Sequence, residues 1–120
     1  MFDLRDLIRP VVAAPMAGGV STPELVAATA SAGGLGFLAA GYRTPSDLRD
    51  QIARTRSLGA GVFGVNMFVP DAEGADPASA LAYRERLLPL AQRLGIALPE
   101  PVPDEDAYGE QVAAPLDDPV

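Results

Sequence analysis

The chain has 120 residues, a net charge of −7, and neither cysteine nor histidine. Those facts exclude a complete eight-stranded β/α barrel, which takes about 250 residues, a disulfide framework or thiolate metal site, and any histidine general base or histidine ligand. With 48% apolar and 21% charged residues, the composition is that of a globular domain.

The charge is unevenly placed. All nine basic residues are arginine; residues 1–70 carry a balance of +1 and residues 71–120 a balance of −8. Nucleic acid is not an expected partner, because phosphate binding needs a basic face. The acidic stretch reads as solvated surface. No apolar run approaches the roughly 20 residues of a membrane span, and no basic-then-apolar leader opens the chain. No membrane association is expected, and the default location is cytoplasmic.

Taken in order, Val11-Val12-Ala13-Ala14 between Pro10 and Pro15 reads as a short buried strand. Ser21 with Glu24 three residues on forms a capping box, and Pro23 suits a first helical turn. That helix stops at Gly33-Gly34. Leu35-Gly36-Phe37-Leu38 is a second buried run. Thr44-Pro45-Ser46-Asp47 opens another helix, with an apolar face of Leu48, Ile52 and Ala53, an Asp50–Arg54 surface pair, and Gly59 at its end. Val62-Phe63-Gly64-Val65-Asn66 is the third run. Parallel strands are predicted near 11–14, 35–38 and 62–66.

Beyond Pro70 the pattern loosens. Asp76-Pro77 caps a helix bearing Leu81, Leu87, Leu88, Ala91 and Leu94, with Pro89 kinking or splitting it and Gly95 closing it. Pro99, Pro101 and Pro103 make a stiff connector, and Asp104-Glu105-Asp106 opens one more helix. Strand and helix alternating at about 25 residues per unit is the rhythm of a parallel α/β protein, close to the repeat of a β/α barrel.

Two stretches match the dinucleotide fingerprint: Gly59-Ala60-Gly61-Val62-Phe63-Gly64, and Gly34-Leu35-Gly36-Phe37-Leu38-Ala39. The fingerprint has a mechanism only where a strand turns into a helix, whose N-terminus holds the pyrophosphate. Both matches run from helix into strand, so they serve tight turns and close packing. Ligands of parallel sheets sit at the opposite, C-terminal strand ends. The segments there are Pro15-Met16-Ala17-Gly18-Gly19, Ala40-Gly41-Tyr42 and Asn66-Met67-Phe68. Glycines 18 and 19 let backbone approach a flat ligand. Asn66 ends an apolar strand and needs a hydrogen-bond partner. A glycine-rich loop with Met16 and Asn66 satisfied internally is the competing reading.

Three further clusters carry less. Arg43, Arg49, Arg54 and Arg56 surround a predicted surface helix and read as solvated rather than phosphate-binding. Consecutive Asp104, Glu105 and Asp106 do not converge as metal ligands do. Tyr42, beside a strand end, has a better claim to line a pocket than Tyr83 or Tyr108.

The run Ala14-Pro15-Met16-Ala17-Gly18-Gly19, with Ala32-Gly33-Gly34-Leu35-Gly36 and Gly64-Val65-Asn66 at these spacings, resembles the nitronate monooxygenase family, formerly the 2-nitropropane dioxygenases. The resemblance is clearest over residues 10–70 and looser to Val120. It implies a TIM-type β/α barrel that binds FMN and oxidises alkyl nitronates with oxygen, of which this α/β chain is the N-terminal portion of about three strands. Residues 1–70 would carry the strands and crossovers, and 71–120 an acidic helical extension. It further implies that Ala14, Pro15 and Met16 lie against the isoalloxazine ring and that Asn66 hydrogen-bonds the flavin.

The family's catalytic histidine has no counterpart here, because the chain contains none. The FMN phosphate site of such barrels is built after strands seven and eight. No residue of this chain is therefore assigned a catalytic role, no metal is expected, and the isolated chain is expected to be inactive. An FMN-dependent enoyl reductase of the same fold, or a non-catalytic remnant, remains the alternative.

Overall fold

The computed structural model describes residues 2–70, 76–102 and 107–117. After a single 3₁₀ turn at Leu4–Asp6 come β1 (Val12–Ala13), α1 (Pro23–Ser31), β2 (Leu35–Ala39), α2 (Pro45–Ser57), β3 (Gly64–Asn66), α3 (Pro77–Leu94) and α4 (Tyr108–Asp117). The strands form one three-stranded sheet in the order β1-β2-β3, parallel throughout. The predicted strands and their direction are thus present, β1 and β3 two residues shorter than expected and β2 one residue longer. Val12 stands opposite Leu35 and Ala13 opposite Gly36; on the other side Phe37 pairs with Gly64, Leu38 with Val65 and Ala39 with Asn66.

The central strand supplies the core. Leu38 and Ala40 are fully buried among Val26 of α1, Leu48 and Ile52 of α2, Phe63, and Ala114 of α4. Close approach of α1 to β2 depends on Gly36, where a Cβ would sit 2.8 Å from the Val26 Cα and 2.9 Å from the Val26 carbonyl oxygen. Both are backbone atoms and cannot yield. Gly59, at φ 90°, makes the left-handed exit from α2. The two fingerprint-like stretches therefore do the packing and turning expected of them, with no strand-to-helix phosphate loop at either.

Three details differ from the sequence reading. First, α1 is capped by Thr22, whose hydroxyl accepts from the Leu25 N–H at 3.2 Å, and not by Ser21. Ser21 is buried and committed to the loop before the helix, where its hydroxyl accepts from Met16 N–H at 2.7 Å. Second, Arg54 pairs with Glu24 across α1 and α2, at 3.2 Å, instead of with Asp50 along its own helix. Neighbouring parallel helices bring the Glu24 carboxylate within reach, and both side chains stay exposed. Third, β1 is not a buried strand: Val11 and Val12 are 57% and 49% exposed. Among the described residues it is an edge strand, hydrogen-bonded on one side only.

The described chain groups into two compact units, Met1–Val69 with Ala107–Val120, and Pro70–Asp106. In the first, α4 lies against α2 and contributes Ala114 to the core. The acidic run 104–106, expected to open the last helix, lies outside the described residues. The second unit is dominated by α3, which continues through Pro89 and ends at Gly95 in the left-handed conformation at φ 66°. Behind it, Arg84 donates to the Pro99 and Leu98 carbonyls at 2.8 and 3.1 Å and reaches Glu100 at 3.0 Å. Among the described residues no helix is long and apolar enough to cross a membrane.

Asp76 starts α3. Its carboxylate accepts from the Ser79 hydroxyl at 2.7 Å and from the N–H groups of Ser79 and Ala78 at 3.0 and 3.2 Å. The Ser79 side chain first, then the two backbone donors, hold its pKa below the usual 3.8. Because the folded value is depressed, the cap's contribution is complete above the unfolded pKa and disappears as pH falls through the folded one. The acid loss of α3 helicity, followed by circular dichroism from pH 6 to 2, is expected to be shallower in Asp76→Asn, which keeps an acceptor but does not titrate. Identical acid profiles for the two proteins would refute this role.

Candidate functional site at the C-terminal strand ends

The three strands release their chains at the same edge of the sheet, and each release is built differently. After β1 the chain runs through Ala14, Pro15 and Met16, of which Ala14 and Met16 are exposed and Pro15 half-buried. Ser21 closes this loop. Besides accepting from the Met16 N–H, it donates its own N–H to the Met16 carbonyl at 3.3 Å, and its hydroxyl lies 3.5 Å from the Ala14 carbonyl. Gly18 and Gly19 sit at φ 82° and 100°, conformations that favour glycine, with nothing within 4 Å of where a Cβ would be. The space above them is open.

After β2, Ala40 donates its N–H to the Asn66 carbonyl at 2.9 Å, which carries the pairing one residue past the strand. Gly41 is buried beneath the Phe68 ring, and a Cβ there would collide with it. Tyr42 then takes φ 64°, the one non-glycine residue at positive φ among the described residues. Arg43 follows, its N–H donating to Ala40 O at 3.0 Å to close the turn. After β3, Asn66 is half-buried, Met67 packs on the core and Phe68 is exposed. The Asn66 main-chain oxygen is taken by Ala40, whereas its side-chain amide has no hydrogen-bond partner among the described residues.

Gly18, Gly19, Gly41, Tyr42 and Arg43 line a cavity of about 280 Å³ at this edge. A larger one, about 370 Å³, opens at the other end, among Leu7, Ile8, Gly34, Leu58 and Val62. Size favours the latter, chemistry the former. The larger cavity lies at the N-terminal strand ends, where conservation of packing rather than ligand chemistry is the rule for β/α architectures. The smaller one lies at the C-terminal strand ends, where ligands sit in β/α architectures, and two unobstructed glycines line it.

The sequence-predicted site residues Ala14, Pro15, Met16 and Asn66 thus share one rim, the first three in the loop after β1 and the last at the end of β3. Two strand spacings, about 9–10 Å, separate the two strands. Of the arginines weighed as phosphate ligands, Arg49 and Arg54 are exposed on α2, and Arg54 is paired with Glu24. Arg43 is half-buried. With the Gln51 amide oxygen facing it, its guanidinium donates to that oxygen at 2.7 and 3.0 Å.

Two residues escaped the sequence reading. Ser21 was visible but assigned to the helix cap. Gln111 gave no local signal at all: from α4 its side-chain N–H donates to the Arg43 carbonyl at 2.7 Å, with Ala40 O at 3.5 Å, across 68 and 71 residues of chain.

Three parallel β/α units in this order form part of a TIM-type barrel. The chain superimposes on the crystal structure of a nitroalkane oxidase from Streptomyces ansochromogenes with a TM-score of 0.80 and 42% identity, over 98% of this chain and 33% of that one. The nitronate monooxygenase family profile matches residues 3–119, and the chain belongs to that family. It is 38% identical over 88 residues to a probable nitronate monooxygenase of Bacillus subtilis (strain 168), covering 73% of this chain and 25% of that protein. A probable nitronate monooxygenase of Staphylococcus aureus (strain JH9) is 39% identical over 93 residues, 78% of this chain and 25% of its own length. The chain therefore spans about a quarter of the curated relatives it matches and a third of the solved structure.

Proposed function

We propose that this chain supplies the strand-end portion of the flavin site of an FMN-dependent oxidoreductase that oxidises alkyl nitronates with oxygen. The observation that carries the proposal is the half-buried Asn66 amide, without a partner among the described residues, on the same rim as exposed Ala14 and Met16. A flavin ring is a long flat π-system with one polar edge. Ala14, Pro15 and Met16 offer it an apolar platform, and Asn66 offers a donor and an acceptor two strands away, a distance a fused three-ring system can span. Gly18 and Gly19 leave the approach clear. These residues fit the group, in the pattern of an apolar pocket with a few placed polar contacts.

When bound, FMN would supply the redox chemistry, taking electrons from the nitronate and passing them to oxygen. The chain's own residues orient and shield. Ser21 fixes the Met16 main chain by two hydrogen bonds, so the platform is held in place before any ligand arrives. The Asn66 amide sits on a backbone already tied to Ala40, which fixes its position along the rim. No histidine is present among the 120 residues, and none of the four ring residues carries a charge, so their contribution is to address the ring.

This makes a specific binding pattern the test. Titration of the purified chain by fluorescence quenching should show flavin binding weaker than about 10 μM. Riboflavin, which lacks the phosphate, should bind within roughly a factor of three of FMN, since no charge-assisted contact is made by these four residues. FMN binding far tighter than riboflavin would place the main attraction on the phosphate and contradict the assignment of Ala14, Pro15, Met16 and Asn66. Absence of any ring-dependent quenching would defeat the proposal outright. Oxygen uptake driven by an alkyl nitronate should be absent from the flavin-loaded chain by itself, because none of its residues is assigned a catalytic role.

A further inference from the structure

We propose that Tyr42 and Phe68 form an aromatic wall that receives the alkyl part of the substrate, and that Gln111 is the positioning residue that holds this wall in place. The proposal rests on the flavin-site reading above and names a specificity element of that same rim.

Tyr42 is held in a conformation that a bulky side chain avoids. At φ 64° its Cβ is crowded by its own carbonyl. Such a residue persists only where its surroundings over-determine it, and such positions cluster at ligand sites. Here the determinants are visible on both sides of it. Before Tyr42, the Ala40 N–H is fixed to Asn66 O at 2.9 Å, and Gly41 is pressed beneath the Phe68 ring. After it, the Arg43 N–H returns to Ala40 O at 3.0 Å, and the Arg43 carbonyl accepts from Gln111 at 2.7 Å. With the Gln51 amide oxygen turned toward it, the Arg43 side chain is held in turn by α2.

The result is a rigid frame presenting two rings to the outside. Tyr42 is 92% exposed and Phe68 57%. They meet edge to face, with centroids 6.2 Å apart and planes at 67°. A loop stabilising its own fold would turn a tyrosine inward; this one spends a strained backbone to keep it outward. The tyrosine also lines the strand-end cavity with Gly18 and Gly19, so the ring stands beside the open space left by those glycines. Aromatic carbon in that position offers apolar contact to a short aliphatic chain, while the platform and Asn66 address the flavin. Gln111 is assigned a positioning role, because its side chain donates to the loop carbonyls of Ala40 and Arg43.

The test uses Tyr42→Gly, which removes the ring yet suits the positive φ, so loss of folding does not obscure the result. Alkane-1-nitronates from ethane to hexane are titrated, with and without FMN, following by NMR the Phe68 ring signals in every protein and the Tyr42 ring signals where that ring is present. In the native chain affinity should rise about two- to fourfold per methylene, the upper figure being full burial of a CH₂. Tyr42→Gly should flatten that dependence to less than twofold while flavin affinity stays within about twofold. Gln111→Met, which keeps length but loses the donor, should flatten it as well and erase the through-space contact between the Tyr42 and Phe68 rings. Gln111→Lys, which retains a donor, should restore both. A chain-length dependence unchanged in Tyr42→Gly overturns the wall, and an undisturbed ring contact in Gln111→Met overturns the positioning role. If flavin fails to bind, the flavin-site reading falls, and the nitronate series without FMN still decides the wall by the same slope.

Discussion

Leu38→Ala is expected to destabilise the chain by about 2–5 kcal/mol, the range for truncating a buried leucine whose cavity cannot collapse. Leu38 is fully buried in β2, the strand that pairs on both sides, and belongs to the cluster drawn from α1, α2, Phe63 and α4. No single helix can move in to refill the space without losing another contact. Val12→Ala provides the contrast. Val12 is 49% exposed on the edge strand, so its truncation should change stability by no more than about 0.5 kcal/mol. Urea unfolding of the three proteins, compared at the transition midpoint, checks the pair. Equal midpoints for Leu38→Ala and Val12→Ala would mean that the core is not organised around β2.

That contrast also shows where the sequence was readable. Leu35-Gly36-Phe37-Leu38 and the flanking Gly33 and Gly59 carry their structural instructions locally, as apolar β-run and left-handed turns, and they appear where expected. The apolar run at 11–14 carries the same local instruction, but burial is a property of what surrounds a strand. A periodicity argument cannot know that, among the described residues, β1 has a strand neighbour on one side only. Ser21 failed for a related reason. A serine three residues before a glutamate fits a capping box, yet Thr22 fits a cap equally well, and only the tertiary loop at Met16 decides which hydroxyl is free to cap.

The candidate site was legible to the same degree. Strand-end positions follow from the order of elements, so Met16, Gly18, Gly19 and Asn66 could be named from the chain. The turn at Tyr42 was visible as a place but not as a conformation, since nothing in Gly41-Tyr42-Arg43 announces a left-handed tyrosine. Gln111 was invisible. It lies in an acidic, proline-bearing stretch, and its role exists only because α4 packs on α2 and delivers an amide to a carbonyl 68 residues away.

Asn66→Ala separates a ligand-binding asparagine from a structural one. In the free chain the Asn66 side chain makes no hydrogen bond among the described residues, and the contact that fixes the strand end uses its main-chain oxygen, which alanine retains. Unfolding stability should therefore change by less than about 0.5 kcal/mol. Flavin binding should weaken by about 1–3 kcal/mol, the cost of leaving a desolvated polar edge unmatched. That corresponds to a rise in Kd of roughly 5- to 150-fold. Asn66→Asp adds a sign to the test. It preserves shape and acceptors but loses the N–H donor and gains a negative charge, so a flavin atom that accepts from Asn66 makes this variant at least as weak as alanine. A flavin N–H that donates to Asn66 makes the aspartate bind better than alanine. A loss of stability in Asn66→Ala as large as the loss of binding would reassign the residue to the fold, and unchanged binding in both variants would remove it from the site.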